Sequence, residues 1–152
     1  MKLRGKNLML SVAIIVSAAL TTCGARPGPM LHRMPSYAGM LRITPDGGAE
    51  QVCDFAFDRA RRNMQPKFTF GTRVVTVVRG AGDAISAFEN TRERPATAVE
   101  RTRFALIRDL CDPATIERVE PGDETYRVRR AGVWYTVELE SQIGGRIHGE
   151  PR

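Results

Sequence analysis

The sequence is short of the groups that most catalytic and metal chemistry needs. It holds two histidines in 152 residues: His32 in a proline-rich stretch and His148 in a glycine-flanked tail. Neither is expected on a rigid element, so both read as solvent-facing, and no Ser–His or Cys–His arrangement can be assembled. No histidine lies at ligand spacing from either Cys53 or Cys111, so no metal is expected. With no catalytic residue to assign and no binding motif for one, no cofactor is expected either. Aromatics make up 7% of the chain and form no ordered row of the kind that stacks single-stranded bases, so nucleic acid is not an expected partner. The segment Arg79-Gly80-Ala81-Gly82-Asp83 lacks the third glycine and the following helix of a phosphate loop, and reads as a hairpin turn. Long apolar runs are scarce as well. The one present, Leu8–Leu20, has 13 residues and would span about 20 Å as a helix, short of the roughly 30 Å hydrocarbon core.

That run sits inside a three-part leader. Lys2, Arg4 and Lys6 form a basic n-region, Leu8–Leu20 the apolar h-region, and small residues follow to Ala25, the order of a secretory signal peptide. The leader accounts for half of the formal charge of +6: the remainder has 20 basic and 17 acidic residues, net +3, with Lys67 its last lysine. Such a balance is compatible with an anionic partner without requiring one.

The residues Leu20-Thr21-Thr22-Cys23 resemble the lipobox of bacterial lipoproteins, in which a cysteine after small residues is lipidated and becomes the new N-terminus. Thr22 departs from the pattern, where Gly, Ala or Ser normally precedes the cysteine. The resemblance implies lipidation at Cys23, a membrane anchor, and residence in the periplasm or at the outer membrane; Gly24 carries no aspartate-type retention signal. Two alternatives stand beside it. Cleavage near Ala25 would release a soluble protein, and the uncharged stretch Asn7–Ala25 would serve as an uncleaved anchor with its basic end inside.

The expected organisation is a signal peptide over 1–22, a Pro/Gly-rich tether over 23–39, one α+β domain over 40–143 and a flexible tail over 144–152. Within the domain, Ala49–Gln65 places Val52, Cys53, Ala56, Ala60 and Met64 at helical spacing and ends at Pro66, which predicts a first helix. Phe68–Val78 reads as one strand and Ala84–Phe88 as a return strand. The capping box Thr97-Ala98-Val99-Glu100 predicts a second helix over about 98–110, with Val99, Leu106, Ile107, Leu110 and Cys111 inward and Asp112-Pro113 as its stop. Thr125–Arg129 and Val133–Glu140 predict a hairpin around Arg130-Ala131-Gly132. The expected fold class is α+β, two main helices packed on an antiparallel sheet of about four strands. If Cys23 is lipidated or removed, Cys53 and Cys111 are left to pair, and the expected disulfide links the two helices.

The candidate binding surface combines Trp134 and Glu138 on the wet face of the last strand with Arg127, Arg129, Arg101 and Arg108. An aromatic beside carboxylates suits a glycan or a cationic peptide. Glu50, Asp54 and Asp58, at i, i+4 and i+8 of the first predicted helix, are the remaining acidic constellation. The expected function is that of a non-enzymatic cell-envelope lipoprotein whose small domain binds another envelope component, a protein or a glycan, as secretion or conjugation assembly factors do. The alternatives are a soluble periplasmic or secreted inhibitor or immunity-type module, and an enzyme that works with carboxylates alone.

Overall fold

The structure, a computed structural model, describes residues 28–141. The leader, Cys23 and the tail with His148 lie outside the described residues. Six strands follow one another as a meander: β1 (Ser36–Pro45), β2 (Gln51–Asp58), β3 (Asn63–Phe70), β4 (Arg73–Arg79), β5 (Ile85–Glu89) and β6 (Arg92–Pro95). The helix α1 (Ala98–Cys111) comes next, and then β7 (Arg118–Glu120), β8 (Thr125–Arg130) and β9 (Val133–Ser141). All nine strands join one antiparallel sheet in the order β6-β5-β4-β3-β2-β1-β9-β8-β7. The expected fold class of two helices on about four strands is therefore overturned: the described residues form a nine-stranded sheet with a single α-helix.

The first predicted helix is the source of the error. Residues 49–65 satisfy a helical period, but Cys53, Phe55 and Phe57 also alternate, and in β2 these three are buried while Val52, Asp54 and Ala56 are exposed. Both neighbours reward the strand: Phe55 faces Gly39 of β1 and Pro66 of β3. Pro66 does not end a helix but sits inside β3, where the missing N–H is tolerated because the ladder to β4 begins one residue later, at Lys67↔Thr76. The single strand predicted over 68–78 is a hairpin whose turn hides at Gly71, with φ +63, a backbone that glycine adopts without strain.

The second predicted helix is present. Thr97 accepts from the Glu100 amide at 3.3 Å, and Glu100 accepts from the Thr97 amide at 2.8 Å, closing both halves of the capping box. Asp112 stops the helix and accepts from the Ala114 amide at 2.9 Å. Leu106, Ile107, Leu110 and Cys111 are buried as expected, Phe104 is buried beside them, and Val99 is 55% exposed. The hairpin of β8 and β9 also forms where predicted, with Ala131 (φ 48) and Gly132 (φ 76) supplying the two positive φ values of a type I′ turn.

One face of the sheet shares a single buried core with α1, to which it contributes Leu41, Ile43, Phe68, Val75, Val77, Val128 and Val137, all almost fully buried. In a flat sheet β6 and β8 would lie about 34 Å apart. Yet Arg94 of β6 pairs with Glu100 of α1, and Arg130 of β8 pairs with Asp109, helix positions only about 14 Å apart. The buried face therefore curls around the helix. The edges that remain are short and charged, Arg92–Pro95 on one side and Arg118–Glu120 on the other, features that discourage pairing with another chain.

The described part of the 23–39 tether is folded, against expectation. Met30, Leu31 and His32 are buried, the Leu31 amide donates to the Tyr126 hydroxyl at 3.0 Å, and β1 begins at Ser36. Proline spacing removes helical and strand periods, but it does not prevent an irregular segment from plugging a core.

Candidate functional site

The six residues of the predicted binding surface separate into two groups. Trp134, Arg129, Arg127 and Glu138 lie on the outward face of β8 and β9, in the ladder Arg129↔Trp134, Arg127↔Thr136 and Thr125↔Glu138. The Arg127 guanidinium stacks over the Trp134 ring at 4.9 Å from its centroid. Arg101 and Arg108 lie one heptad apart on α1 and do not join that face.

Much of this basic surface is compensated from within. Arg127 reaches Asp46 at 2.7 Å and Glu120 at 3.1 Å. Arg129 lies 3.4 Å from Glu117, and Arg108 lies 2.9 Å from Asp109, while Arg101 donates to the Ala96 carbonyl. Such exposed pairs contribute little to stability, but they set which way each guanidinium points. The outward ladder is thus an ordered aromatic–guanidinium–carboxylate surface more than a patch of free positive charge.

The acidic constellation changes with the fold. Glu50 precedes β2, while Asp54 and Asp58 sit on its outward side, about 13 Å apart along a strand, so no helix face unites them. The Arg79–Asp83 segment is a turn between β4 and β5, with no phosphate-loop helix behind it. Among the described residues, no group of three or more His, Cys, Asp and Glu side chains is placed to hold a metal.

A second concavity had no signature in the sequence. It opens beside the C-terminal end of α1 with a volume of about 720 Å³. Arg59 and Arg62 reach it from the β2–β3 turn, Arg79 from the end of β4 and Arg108 from α1, above a floor that includes Phe57 and Phe104. Arg59 is the organiser of this corner. Its guanidinium donates to the carbonyls of Cys111 at 2.9 Å, His32 at 3.1 Å and Leu31 at 3.4 Å, and lies over the Phe57 ring. The carbonyl partners come from two segments distant in sequence, residues 31–32 and the end of α1, which is why local patterns could not show it.

His32 is buried rather than solvent-facing, and its Nδ1 has no hydrogen-bond partner among the described residues. Burial first, then the charges of Arg33 and Arg59, push its pKa below the usual value, so the ring is neutral at pH 7. Cys53 and Cys111 are free thiols in this structure, both buried. Cys53 projects from β2, not from a helix, so an expected link between two helices becomes a question of strand against helix end. Burial pushes both thiols up to about 12, so neither is a thiolate nucleophile near neutrality. In reduced protein carrying C23S, an alkylating reagent is expected to leave both untouched until denaturant exposes two equivalents. Stoichiometric labelling of folded protein would show that this corner opens readily.

No protein-family model, curated protein or solved structure matches the chain.

Proposed function

We propose that this chain is a non-catalytic binding domain of the cell envelope, held at a membrane by lipidated Cys23, that recognises another envelope component through the outward face of β8 and β9. The observation that carries the recognition surface is the ladder in which the half-buried Trp134, Arg127 and Glu138 and the exposed Arg129 share one outward side, with the indole beneath the Arg127 guanidinium. A rigid aromatic flanked by charged groups supplies contact area at low ordering cost and fits a protein segment or a glycan. The lipobox-like residues Leu20-Thr21-Thr22-Cys23 support the address. A Cys53–Cys111 bridge belongs to the same reading: both side chains enter one core, and an oxidising compartment permits a bond made before folding buries them.

Two measurements test it separately. Mass spectrometry of the mature N-terminus is expected to find an acylated Cys23; an unmodified start beyond Cys23 removes the anchor. Crosslinking from intact envelopes is then compared between the native chain and W134A/R129E. The double variant is expected to lose at least about tenfold of the specific crosslinked product while its folding stability changes by less than about 1 kcal/mol. An unchanged product would move recognition off this face.

A further inference from the structure

We infer that the cleft beside the C-terminal end of α1 binds a small organic monocarboxylate with a compact apolar body. The inference does not rest on the proposed envelope role or on the β8–β9 face. Four arginines converge on the cleft from the β2–β3 turn, β4 and α1, against three aspartates, Asp58, Asp109 and Asp112. Asp109 is shared between Arg108 and Arg130. Asp58 pairs with Arg61 at 3.6 Å and accepts from its amide, whereas Asp112 accepts from the neutral amide that starts the next turn and keeps its charge. Arg59 spends its donors on neutral carbonyls, which leave its charge in place. Among the described residues, Arg79 pairs with Asp83, an exposed partner at 3.5 Å, and Arg62 lines the cleft with no ion pair to an acidic side chain. The balance at the mouth is positive, in a fork geometry suited to carboxylate.

The floor decides the rest of the ligand. Phe57, Phe104 and Cys111 are buried and show only edges there, with Phe57 partly covered by Arg59, and the half-buried Met64 completes a small apolar surface. A volume of about 720 Å³ falls within the range of small-molecule sites. A multiply charged phosphate would face the charge of Asp112, whose bonded partner is a neutral amide, whereas a single carboxylate places its charge between Arg62 and Arg79 and its body on the floor. Arg62, at φ 51, is presented by a tight turn and not by a frayed loop.

The test titrates the full chain with 3-phenylpropionate, and in parallel with 3-phenylpropanol, acetate and inorganic phosphate, using calorimetry and amide chemical shifts. Saturable binding of 3-phenylpropionate is expected, with shifts confined to residues 57–64, 79 and 104–112. Acetate and 3-phenylpropanol are each expected to bind at least about tenfold more weakly, since each lacks one half of the recognition. R62Q and R79Q, both on exposed positions, should each weaken 3-phenylpropionate about five- to tenfold with unchanged thermal midpoints, the scale of one lost charge-assisted contact. Equal binding of the alcohol, tighter binding of phosphate, shifts centred elsewhere, or no saturable binding would each overturn the proposal.

Discussion

Replacing Glu100 with alanine is expected to lower folding stability by about 2–4 kcal/mol, read from denaturant midpoints at pH 7. The Glu100 side chain is 4% exposed and holds three partners at once. It accepts from the Thr97 amide at 2.8 Å, closing the capping box, and takes both Arg94 terminal nitrogens at 2.8 and 2.7 Å. Arg94 in turn approaches Glu89 at 3.4 Å, and Glu89 receives Arg73 in a two-bonded contact at 2.5 and 2.6 Å. The chain Arg73–Glu89–Arg94–Glu100 therefore ties β4, β5 and β6 to the start of α1. Truncation at Glu100 removes the cap and leaves the Arg94 guanidinium without its main partner, a larger loss than that of an exposed ion pair.

The same network sets an acid response. Hydrogen bonds from Arg94 hold the Glu100 carboxyl down at about 2, and those from Arg73 do the same for Glu89, against an ordinary 4.5. Because the folded values lie below the unfolded ones, this stabilisation is fully present above about pH 4.5 and is lost as pH falls towards 2. E100Q keeps the shape of the side chain without the charge. It is expected to flatten the stability–pH slope over that window while remaining folded at pH 7. An E100Q protein with the native acid slope, or E100A within about 0.5 kcal/mol of the native chain, would show that the network does not couple helix to sheet.

What could be read from the sequence here follows the range of the interactions involved. The α1 cap was legible because Thr97 and Glu100 are three residues apart, and the β8–β9 turn because Ala131-Gly132 carries its own backbone chemistry. Residues 49–65 were misread because two periods coexist there, and the choice between them rests on Gly39 and Pro66, which meet Phe55 only after folding. The turn over 59–62 compounds the problem, since Arg62 takes φ 51 with no Gly, Asn or Asp at that position to signal it. For the candidate surface, alternation along β9 correctly put Trp134 and Glu138 on one outward side. The neutralisation of Arg127 by Asp46, 81 positions away, has no local trace. The arginine cleft was invisible for the same reason: each of its arginines reads alone as a solvated charge, and only the packing of α1 against the β2–β3 turn gathers them.

Arg59 gives the second large effect, and it separates charge from geometry. R59A is expected to cost about 2–3 kcal/mol, the scale of losing charge-assisted hydrogen bonds together with a favourable cation at a helix C-terminus. The donated bonds run to Cys111 at the end of α1 and to His32 and Leu31 in the N-terminal plug, so one side chain fastens two elements that share no backbone ladder. The guanidinium donates from two separated nitrogens, Nε to the Met34 carbonyl at 3.3 Å and Nη2 to the carbonyls of Cys111, His32 and Leu31, a spread that the single nitrogen of an ammonium does not reproduce. R59K should therefore recover less than half of the loss, even though the charge is restored. The position of the damage is also specific. Amide exchange in R59A should accelerate first over residues 30–34 and 109–112, while the β8–β9 hairpin, held by its own ladder, keeps native protection. Full recovery in R59K would make this a charge effect alone, and uniform acceleration across the sheet would mean that Arg59 supports the whole core and not this corner.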